Sequence, residues 1–174
     1  MIRAARFHDL PALREPERAA GAAFRELGMH AVADDEPMFI AALAVFQENR
    51  RAWVITDEAD RPVAYLLADV VDGNAHVEQV SVHPAHSRQG LGSTLLDTAA
   101  MWAGQHDLAA LTLTAYADVP WNAPYYQRLG FHVLDEAQMT AGLRRIREHE
   151  AARGLAAWPR VTMRRSVCSQ RPPR

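Results

Sequence analysis

The sequence predicts an α/β fold in which a mixed, mostly antiparallel β-sheet is flanked by helices. Apolar runs joined by a short polar turn, Arg51 to Thr56 and Val63 to Val71, indicate an antiparallel hairpin. Later in the chain, strand patterns alternate with helical patterns, and such crossovers join parallel strands. A length of 174 residues and a hydrophobic fraction of 49% suit one globular domain with a sizeable core. We therefore expect a single domain that spans residues 1–167.

Local signals predict the other elements in chain order. Asp9 is a candidate N-cap for the first helix, and Pro16 indicates a kink or a second helix start. Asp34 or Asp35 is a candidate N-cap for a second helix, with Pro37 in its first turn. The other predicted strands are Ile2 to Arg6, Ala75 to His83, Ala110 to Ala115, Phe131 to Leu134 and Trp158 to Val167. The remaining predicted segments are a loop from His30 to Glu36, a helix ending near Ala103, helices from Pro120 to Leu129 and from Gln138 to Arg153, and an unstructured tail from Cys168 to Arg174.

Charge and composition exclude several classes of protein. The formal net charge is −2, so no overall basic field attracts nucleic acid or an acidic membrane. No apolar run approaches the length of a membrane span, and the N-terminus lacks the apolar core of a signal peptide. Cys168 is the single cysteine, so neither an internal disulfide nor a cysteine-based metal site is expected, and we expect no metal. All nineteen basic residues are arginine, which indicates a GC-rich bacterial genome. Together these features predict a soluble cytoplasmic protein.

The stretch from Val77 to Ala103 is the most informative part of the sequence. It predicts a strand ended by Pro84, a loop that contains Gly90 and Gly92, and an amphipathic helix. A helix start that follows a strand and a glycine loop is a ready anion site, and phosphates are its usual ligands. A P-loop would need lysine after its last glycine, and this chain contains no lysine. A Rossmann fingerprint would need a third glycine where Leu95 stands. On these residues alone, a turn that needs glycine only for its geometry stays open.

The residues HPAHSRQGLG, from His83 to Gly92, resemble the acetyl-CoA pyrophosphate loop of the GCN5-related N-acetyltransferase (GNAT) superfamily. The segment PYYQRLGF, which ends at Phe131, resembles that family's Y-x-x-x-G-F ending, and the two motifs occur in the family's order. The predicted order of strands and helices is also similar to the GNAT fold, over about residues 2 to 167. The resemblance implies an acyl-CoA N-acyltransferase fold, acetyl-CoA as cosubstrate, and direct attack of an amine on the acetyl thioester in a ternary complex.

The resemblance assigns most cofactor contacts to backbone atoms. The backbone amides from Arg88 to Thr94 would hold the pyrophosphate. On the strand from Val80 to Val82, the Val82 amide would polarise the thioester carbonyl. Ser87 stands where the family usually has glutamine or arginine, so Arg88 would supply charge from a shifted position or be a solvated loop residue. The predicted cofactor-binding residues are Val80, Ser81, Val82, Arg88, Gln89, Gly90, Leu91, Gly92, Ser93, Thr94 and Asn122.

Glu78 and Tyr126 are the catalytic residues that the resemblance implies. Residues 78, 80 and 82 share one strand face, so Glu78 would be partly desolvated, which raises a carboxyl pKa and suits a base acting through water. A solvated surface glutamate is the alternative. Tyr126 has the family's spacing for the acid that protonates the departing thiolate, with aromatic packing as the alternative. Asn122 would bond the pantetheine arm or, with equal weight, cap its own helix. His76 and His83 are alternative candidates for the base. Of the two, His83 is the better candidate for a purely structural role.

The acceptor is predicted only as a class, a primary amine of a small molecule or peptide, because one fold hosts many acceptors. Asp34, Asp35, Glu36 and Asp118 can attract a cationic amine, or else they are helix caps and solvated charges. Two other functions stay open: the same chemistry with a longer acyl-CoA, and a non-catalytic acyl-CoA-binding or regulatory module. The last helix and strand would offer a surface for a homodimer.

Overall fold

The computed structural model describes residues 1–167, so the predicted tail from Cys168 to Arg174 lies outside the described residues. The strands are β1 (Ile2–Ala4), β2 (Ala52–Thr56), β3 (Pro62–Val71), β4 (Asn74–Val82), β5 (Ala110–Tyr116), β6 (His132–Val133) and β7 (Arg160–Ser166). The helices are α1 (Leu10–Gly21), α2 (His30–Ala33), α3 (Ile40–Glu48), α4 (Leu91–Gln105), α5 (Ala123–Arg128) and α6 (Ala141–Ala152). Among residues 1–167, no helix is long and apolar enough to cross a bilayer.

The strands described within residues 1–167 form one seven-stranded sheet, in the order β1-β2-β3-β4-β5-β7-β6. The pairs β1 with β2, β2 with β3, β5 with β7 and β6 with β7 are antiparallel. The pair β4 with β5 is parallel, and Ala75 and His76 are the β4 residues that enter it. In the predicted hairpin, Val54 of β2 lies opposite Tyr65 of β3. The predicted hairpin and the mixed, mostly antiparallel sheet flanked by helices are therefore confirmed.

The chain forms two compact units. Unit 1 comprises Met1–Asp69 and Glu78–Thr98, and unit 2 comprises Val70–Val77 and the described residues from Ala99 onward. A single domain over residues 1–167 stays a prediction. The core of unit 1 is a cluster of apolar residues. They belong to α1, α3, β2 and β3, together with Ala5, which directly follows β1. Its members are Ala5, Leu10, Leu13, Leu43, Ala52, Val54, Tyr65 and Leu67.

The first helix differs from its prediction at two points. α1 runs through Pro16 to Gly21, so no second helix starts there. The Asp9 carboxylate does not cap α1, because it accepts the Arg6 backbone N–H at 2.7 Å and pairs with the Arg3 guanidinium at 2.6 Å. Burial of Asp9 disfavours its charge, but the hydrogen bonds from Arg3 and Arg6 and the arginine charge outweigh burial and lower the pKa of Asp9. The carboxylate therefore fastens β1 to the turn before α1.

The segment between α1 and α3 contains more helix than predicted. The predicted loop from His30 to Glu36 includes α2, and α3 begins at Ile40 with Phe39 in the N-cap position. Neither Asp34 nor Asp35 therefore caps α3. Asp34 is instead engaged in an ion pair with Arg25. A carboxylate near a helix start can either accept a helix N–H or pair with a nearby guanidinium. Local sequence signals do not reveal which of these two interactions forms.

Unit 2 contains a close contact between the β3–β4 turn and α6. The backbone N–H of Gly142 donates to Asp72 Oδ2 at 2.7 Å. A Cβ atom at position 142 would lie 2.5 Å from Val71 Cγ1 and 2.6 Å from Asp72 Oδ2, so any larger residue would force these two side chains to move. Glycine therefore fits the close approach at this position, and the contact joins residues 70 positions apart in sequence.

The C-terminal elements are shorter than predicted. α6 begins at Ala141, because the Thr140 side chain accepts an amide of the first turn as its N-cap. β6 consists of His132–Val133 alone, since the Phe131 N–H is bonded to the Tyr126 carbonyl at 3.1 Å rather than to a neighbouring strand. In both cases a local hydrogen bond makes the helix or strand begin later than the apolar pattern predicts.

Candidate active site

The glycine loop connects β4 to α4 within unit 1. Gly90 has φ +75°, a left-handed conformation that favours glycine. The N–H and Oγ1 of Thr94 donate to the Gly90 carbonyl at 3.0 and 3.1 Å, so the Thr94 amide is already used inside the helix. The amides of residues 91–93 lie in the first turn, where a helix has no carbonyl partners for them. Arg88 and Gln89 are exposed beside this turn. The arrangement can bind an anion through backbone N–H groups and the helix dipole.

β4 carries Glu78 and the predicted thioester contacts. Ser81 is 5% exposed, whereas Val80 and Val82 are half-buried. Glu78 is exposed, so the partial burial expected for it is wrong. The cause is that its strand face is only half covered even at Val80 and Val82. The argument that burial raises the pKa of Glu78 therefore does not apply. Its position on β4 remains the reason to consider it as a base.

The two histidines near β4 have structural hydrogen bonds. His76, in unit 2, is 2% exposed and its Nδ1 lies 2.9 Å from Thr112 Oγ1. His83, in unit 1, accepts the Ala85 N–H at Nδ1 at 3.1 Å, and its Nε2 lies 3.2 Å from Glu15 Oε1. His83 thus has a contact at each ring nitrogen, as a loop-anchoring residue would.

Unit 1 contains three polar side chains that the sequence interpretation did not single out, those of Glu17, Tyr65 and Gln79. Tyr65 is 0% exposed, and its hydroxyl donates to Glu17 Oε2 of α1 at 2.7 Å. Burial and the Glu17 carboxylate raise the pKa of Tyr65, and the Ser81 hydroxyl acts in the opposite direction. Gln79 Nε2 in turn donates to Ser81 Oγ at 2.8 Å. Hydrogen bonds therefore join Tyr65 of β3 to Glu17 of α1, and Gln79 to Ser81 within β4.

The Glu17 carboxyl has the property that was expected of Glu78. Burial raises the pKa of Glu17, and the charge of Asp35 adds to the rise. Hydrogen bonds from the Tyr65 hydroxyl and the Met38 N–H, with the charge of Arg14, oppose the rise without cancelling it. The Glu17 side chain is thus a half-buried carboxyl whose surroundings disfavour its charged form.

The spacing of α1 contains a signal for this buried carboxyl. Leu10 and Leu13 are fully buried, and Glu17 follows at the next position of the same helical stripe. A glutamate on an apolar stripe needs a polar partner inside the protein. The sequence does not reveal that partner, because Tyr65 lies 48 positions later.

Tyr126 is buried in unit 2 among aromatic rings. Its ring centroid lies 5.4 Å from that of Tyr125 and 5.8 Å from that of Phe131, both edge to face. The turn at Gly130 brings the Phe131 N–H back to the Tyr126 carbonyl, which explains the spacing of the Y-x-x-x-G-F motif. Burial, together with Tyr125, raises the pKa of the Tyr126 hydroxyl, so it is protonated throughout the neutral range. Among residues 1–167, this hydroxyl has no hydrogen-bond partner.

Asn122 precedes α5 in unit 2 but does not cap it. Its Oδ1 accepts the Tyr116 backbone N–H at 2.6 Å, and no side-chain cap is formed, so the capping alternative is wrong. The Arg160 guanidinium lies 4.3 Å from the Tyr116 ring centroid and is paired with Glu150 at 3.0 Å. The oxygen of the Asn122 carboxamide is therefore committed at the end of β5, and its Nδ2 is the group that can donate to a ligand.

Solved structures with the same fold include several acetyltransferases. Ribosomal-protein-S18-alanine N-acetyltransferase from Escherichia coli has a TM-score of 0.64 at 20% identity, covering 100% of this chain and 99% of that chain. The PaiA N-acetyltransferase from Thermoplasma acidophilum, in complex with coenzyme A, has a TM-score of 0.66 at 14% identity, covering 95% and 98%. N-acetylglutamate synthase from Neisseria gonorrhoeae, complexed with coenzyme A and N-acetyl-glutamate, has a TM-score of 0.69 at 12% identity, covering 97% and 35%. At these identities the likeness shows the fold.

The family follows from a match to the sequence itself. The family model described as acetyltransferase (GNAT) family matches residues 13–131, which is more than half of the chain. The match contains the glycine loop at Gly90, the tyrosine at position 126 and the Gly130–Phe131 pair. The chain therefore belongs to the GNAT acetyltransferase family.

Proposed function

We propose that this protein is an acetyl-CoA-dependent N-acetyltransferase that acts on a primary amine of a small molecule or peptide. The observation that carries the proposal is the loop at Gly90, where a left-handed turn opens α4 and its first amides have no carbonyl partner inside the helix. Membership of the GNAT family supports acyl transfer. The coenzyme A bound by the PaiA enzyme and by N-acetylglutamate synthase supports acetyl-CoA as the cosubstrate.

The cofactor contacts in this proposal come mainly from backbone atoms. The amides from Arg88 to Ser93 hold the pyrophosphate, and the exposed Arg88 side chain adds charge in place of the residue missing at Ser87. The Val82 amide polarises the thioester carbonyl, with Val80 and Ser81 beside the pantetheine arm. Asn122 Nδ2 donates to the same arm.

The chemistry is a direct transfer between two substrates. The amine nitrogen forms a bond to the acetyl carbon, and the bond from that carbon to sulfur breaks. The coenzyme A thiolate takes its proton from the Tyr126 hydroxyl, which burial keeps in the protonated form. The acceptor ammonium must first lose a proton, because alkylamines with a pKa of about 10 are mostly charged at neutral pH. Glu78 is the base candidate on β4, and its role rests on that position.

The proposal is tested by release of free coenzyme A in the presence of a panel of amines. The panel spans polyamines, aminoglycosides, amino acids and peptide N-termini, with acetyl-CoA and a longer acyl-CoA as donors. Turnover with acetyl-CoA and at least one amine is expected. Turnover confined to the longer donor would instead indicate a longer-chain acyltransferase. Binding of acetyl-CoA without turnover of any amine would contradict the proposal and favour a binding module.

The loop itself is tested by one substitution and its matched control. Gly90→Ala places a side chain in a left-handed turn, which strains the loop and lowers acetyl-CoA affinity, on the order of 10-fold. Gly73→Ala makes the same change in the β3–β4 turn, where φ is +76° and a Cβ likewise meets nothing within 4 Å. Isothermal titration calorimetry should show weaker binding for Gly90→Ala alone. Equal effects in both variants would mean that the loss reflects general strain and not the cofactor loop.

A further inference from the structure

A cavity of about 350 Å³ in unit 2 lies between α6 and the strands β6 and β7. Small-molecule sites have volumes of roughly 300–1,000 Å³, so this cavity is large enough for a small ligand. Three arginines line it, namely Arg144, Arg147 and Arg160. The apolar part of the lining consists of Val133, Leu134, Met139 and Val161. The proposed acetyl transfer uses none of these side chains, so the cavity is a second place where a ligand can bind.

Two of the arginines, Arg147 of α6 and Arg160 of β7, lie side by side. Their Nε atoms approach the same oxygen, Glu150 Oε2, at 3.5 Å from Arg147 and 3.0 Å from Arg160. The Arg147 guanidinium also donates to the Arg160 backbone carbonyl at 3.2 Å and to Thr162 Oγ1 at 3.4 Å. Because both groups contact one carboxylate oxygen, the two positive charges are close neighbours beside the cavity.

This pair of guanidinium groups has one positive charge more than its shared partner neutralises. Within residues 1–167, Glu150 is the one carboxylate that pairs with either of them. The Arg160 side chain is 9% exposed and that of Arg147 is 30% exposed, so solvent screens the excess charge incompletely. A partly buried charge without its own counterion is a site for an anion.

The other charged groups of the lining leave this excess in place. Arg144 is engaged in an ion pair with Glu136, which adds no net charge. Glu148 is exposed, and among the described residues it pairs with neither Arg147 nor Arg160. Since exposed charges interact only weakly through water, Glu148 does not take the place of a bound anion.

Both guanidinium groups can donate to a ligand. Nε and Nη2 of Arg160 donate to Glu150, and Nη2 also donates to Thr114 Oγ1 at 2.9 Å. Nη1 of Arg160 forms no hydrogen bond with residues 1–167. The two hydrogen bonds of Arg147, at 3.2 and 3.4 Å, are long for N–H···O bonds, so an acceptor at a shorter distance can replace them.

We propose that this cavity binds a small organic carboxylate with an apolar chain, and that Arg147 and Arg160 hold the carboxylate. One negative charge matches the one excess positive charge, and the planar guanidinium fork fits a carboxylate. The apolar chain packs against the half-buried side chains of Leu134, Met139 and Val161. Inorganic phosphate matches less well, because it has no apolar part. The proposal is independent of the proposed function, since binding is measured without turnover.

The experiment is an NMR titration of the ¹⁵N-labelled full chain with 4-methylpentanoate. We expect saturable binding with a Kd on the order of 1 mM, as suits a ligand of about eight non-hydrogen atoms. Amide resonances around position 147 of α6 and positions 160–162 of β7 should shift, and those of the loop at Gly90 should not. 4-Methylpentanamide has the same shape without the charge and should bind at least about 10-fold more weakly.

One variant and its matched control test the arginines. Arg147→Gln removes one guanidinium and should weaken binding on the order of 10-fold. Because the contacts of Arg147 are long, we expect this variant to melt as the parent does. Arg145→Gln makes the same change at the adjacent exposed position, which is outside the lining, and should bind as the parent does. If Arg147→Gln does not fold, the shift map and the amide comparison on the parent still decide.

Leucine separates two sources of the same carboxylate chemistry, because it is this acid with a primary amine added. Acetylation of leucine, with a raised KM for leucine in Arg147→Gln, would show that the carboxylate belongs to the acceptor. A changed rate with another amine, without acetylation of leucine, would show that the cavity holds an effector. Either result supports the site.

Several outcomes would overturn the proposal. They are no saturable binding up to about 20 mM, equal affinity for the acid and its amide, shifts confined to other parts of the chain, and equal losses in Arg147→Gln and Arg145→Gln. Tighter binding of inorganic phosphate at the same residues would also overturn it, because the ligand class would be wrong. Absence of turnover with every amine would contradict the proposed function and leave the binding result unaffected.

Discussion

Two buried tyrosines, one in each unit, have opposite surroundings. Tyr65 in unit 1 is 0% exposed, and its hydroxyl donates a hydrogen bond to the Glu17 carboxylate. Tyr126 in unit 2 is 8% exposed and is surrounded by aromatic rings, and its hydroxyl has no hydrogen-bond partner among residues 1–167. Burial raises the pKa of both hydroxyls. The two side chains thus share burial and protonation state and differ in what the O–H group contacts.

The difference teaches how a buried hydroxyl can be assigned a role. A hydroxyl whose hydrogen bonds are satisfied within the folded chain contributes to stability and can move a proton only along those bonds. A nearly buried side chain whose hydroxyl has no partner in the chain calls for a functional explanation. Tyr126 therefore has an O–H available to a ligand, whereas Tyr65 has one committed to its neighbours.

The largest expected effect is on catalysis by Tyr126→Phe. Removing the hydroxyl takes away the proton donor for the thiolate, so kcat should fall on the order of 100-fold while acetyl-CoA affinity changes little. Steady-state kinetics across pH 6 to about 9.5 measure this loss. Tyr125→Phe is the control, because it makes the same chemical change at the adjacent position of α5. A parent-like kcat for Tyr126→Phe at every pH would show that the acid assignment is wrong.

The next effect is on the stability of Tyr65→Phe. This change leaves the half-buried Glu17 carboxylate without its tyrosine donor, and we expect a loss of about 1–3 kcal/mol in the free energy of unfolding at pH 7. The Tyr65 hydrogen bond lowers the pKa of Glu17, so its removal raises that pKa further, and the loss should shrink when Glu17 is protonated. Urea unfolding at pH 7 and at about pH 5 measures both values. An equal loss at the two pH values would mean that the glutamate charge is not involved.

The smallest expected effect is on the stability of Tyr126→Phe. No hydrogen bond within residues 1–167 is lost, and the ring contacts with Tyr125 and Phe131 remain. The free energy of unfolding should therefore change by less than about 0.5 kcal/mol. The same urea titration measures it beside Tyr65→Phe. A loss as large as that of Tyr65→Phe would remove the contrast between the two tyrosines.

The fold was predictable where strong local patterns agree with tertiary packing. The β2–β3 hairpin and α4 follow from apolar runs and helical spacing, which packing preserves. The start of α3 was not predictable, because Asp34 is engaged by Arg25 instead of capping that helix. The continuity of α1 through Pro16 likewise depends on contacts that a proline rule does not include.

The candidate site was predictable where motif spacing fixes a backbone turn. Gly90 and the Tyr126–Gly130–Phe131 turn have geometries that explain their spacing, although their roles in catalysis stay predictions. The burial of Glu78 was wrong, since strand alternation predicts a face and not how well that face is covered. The Glu17–Tyr65 bond was not predictable, because its partners are distant in sequence and only their apolar surroundings are visible there.

The bond between the Gly142 amide and Asp72 has a consequence for how this chain is made. The ribosome synthesises Asp72 70 residues before its partner, which at about 5–20 residues per second corresponds to roughly 4–14 seconds of elongation. During that interval the β3–β4 turn exists as nascent chain without the amide that its carboxylate binds. A chain truncated before Gly142 would remain in that incomplete state permanently. Premature termination before residue 142 should therefore yield a product whose β3–β4 turn lacks this partner, however complete its N-terminal part.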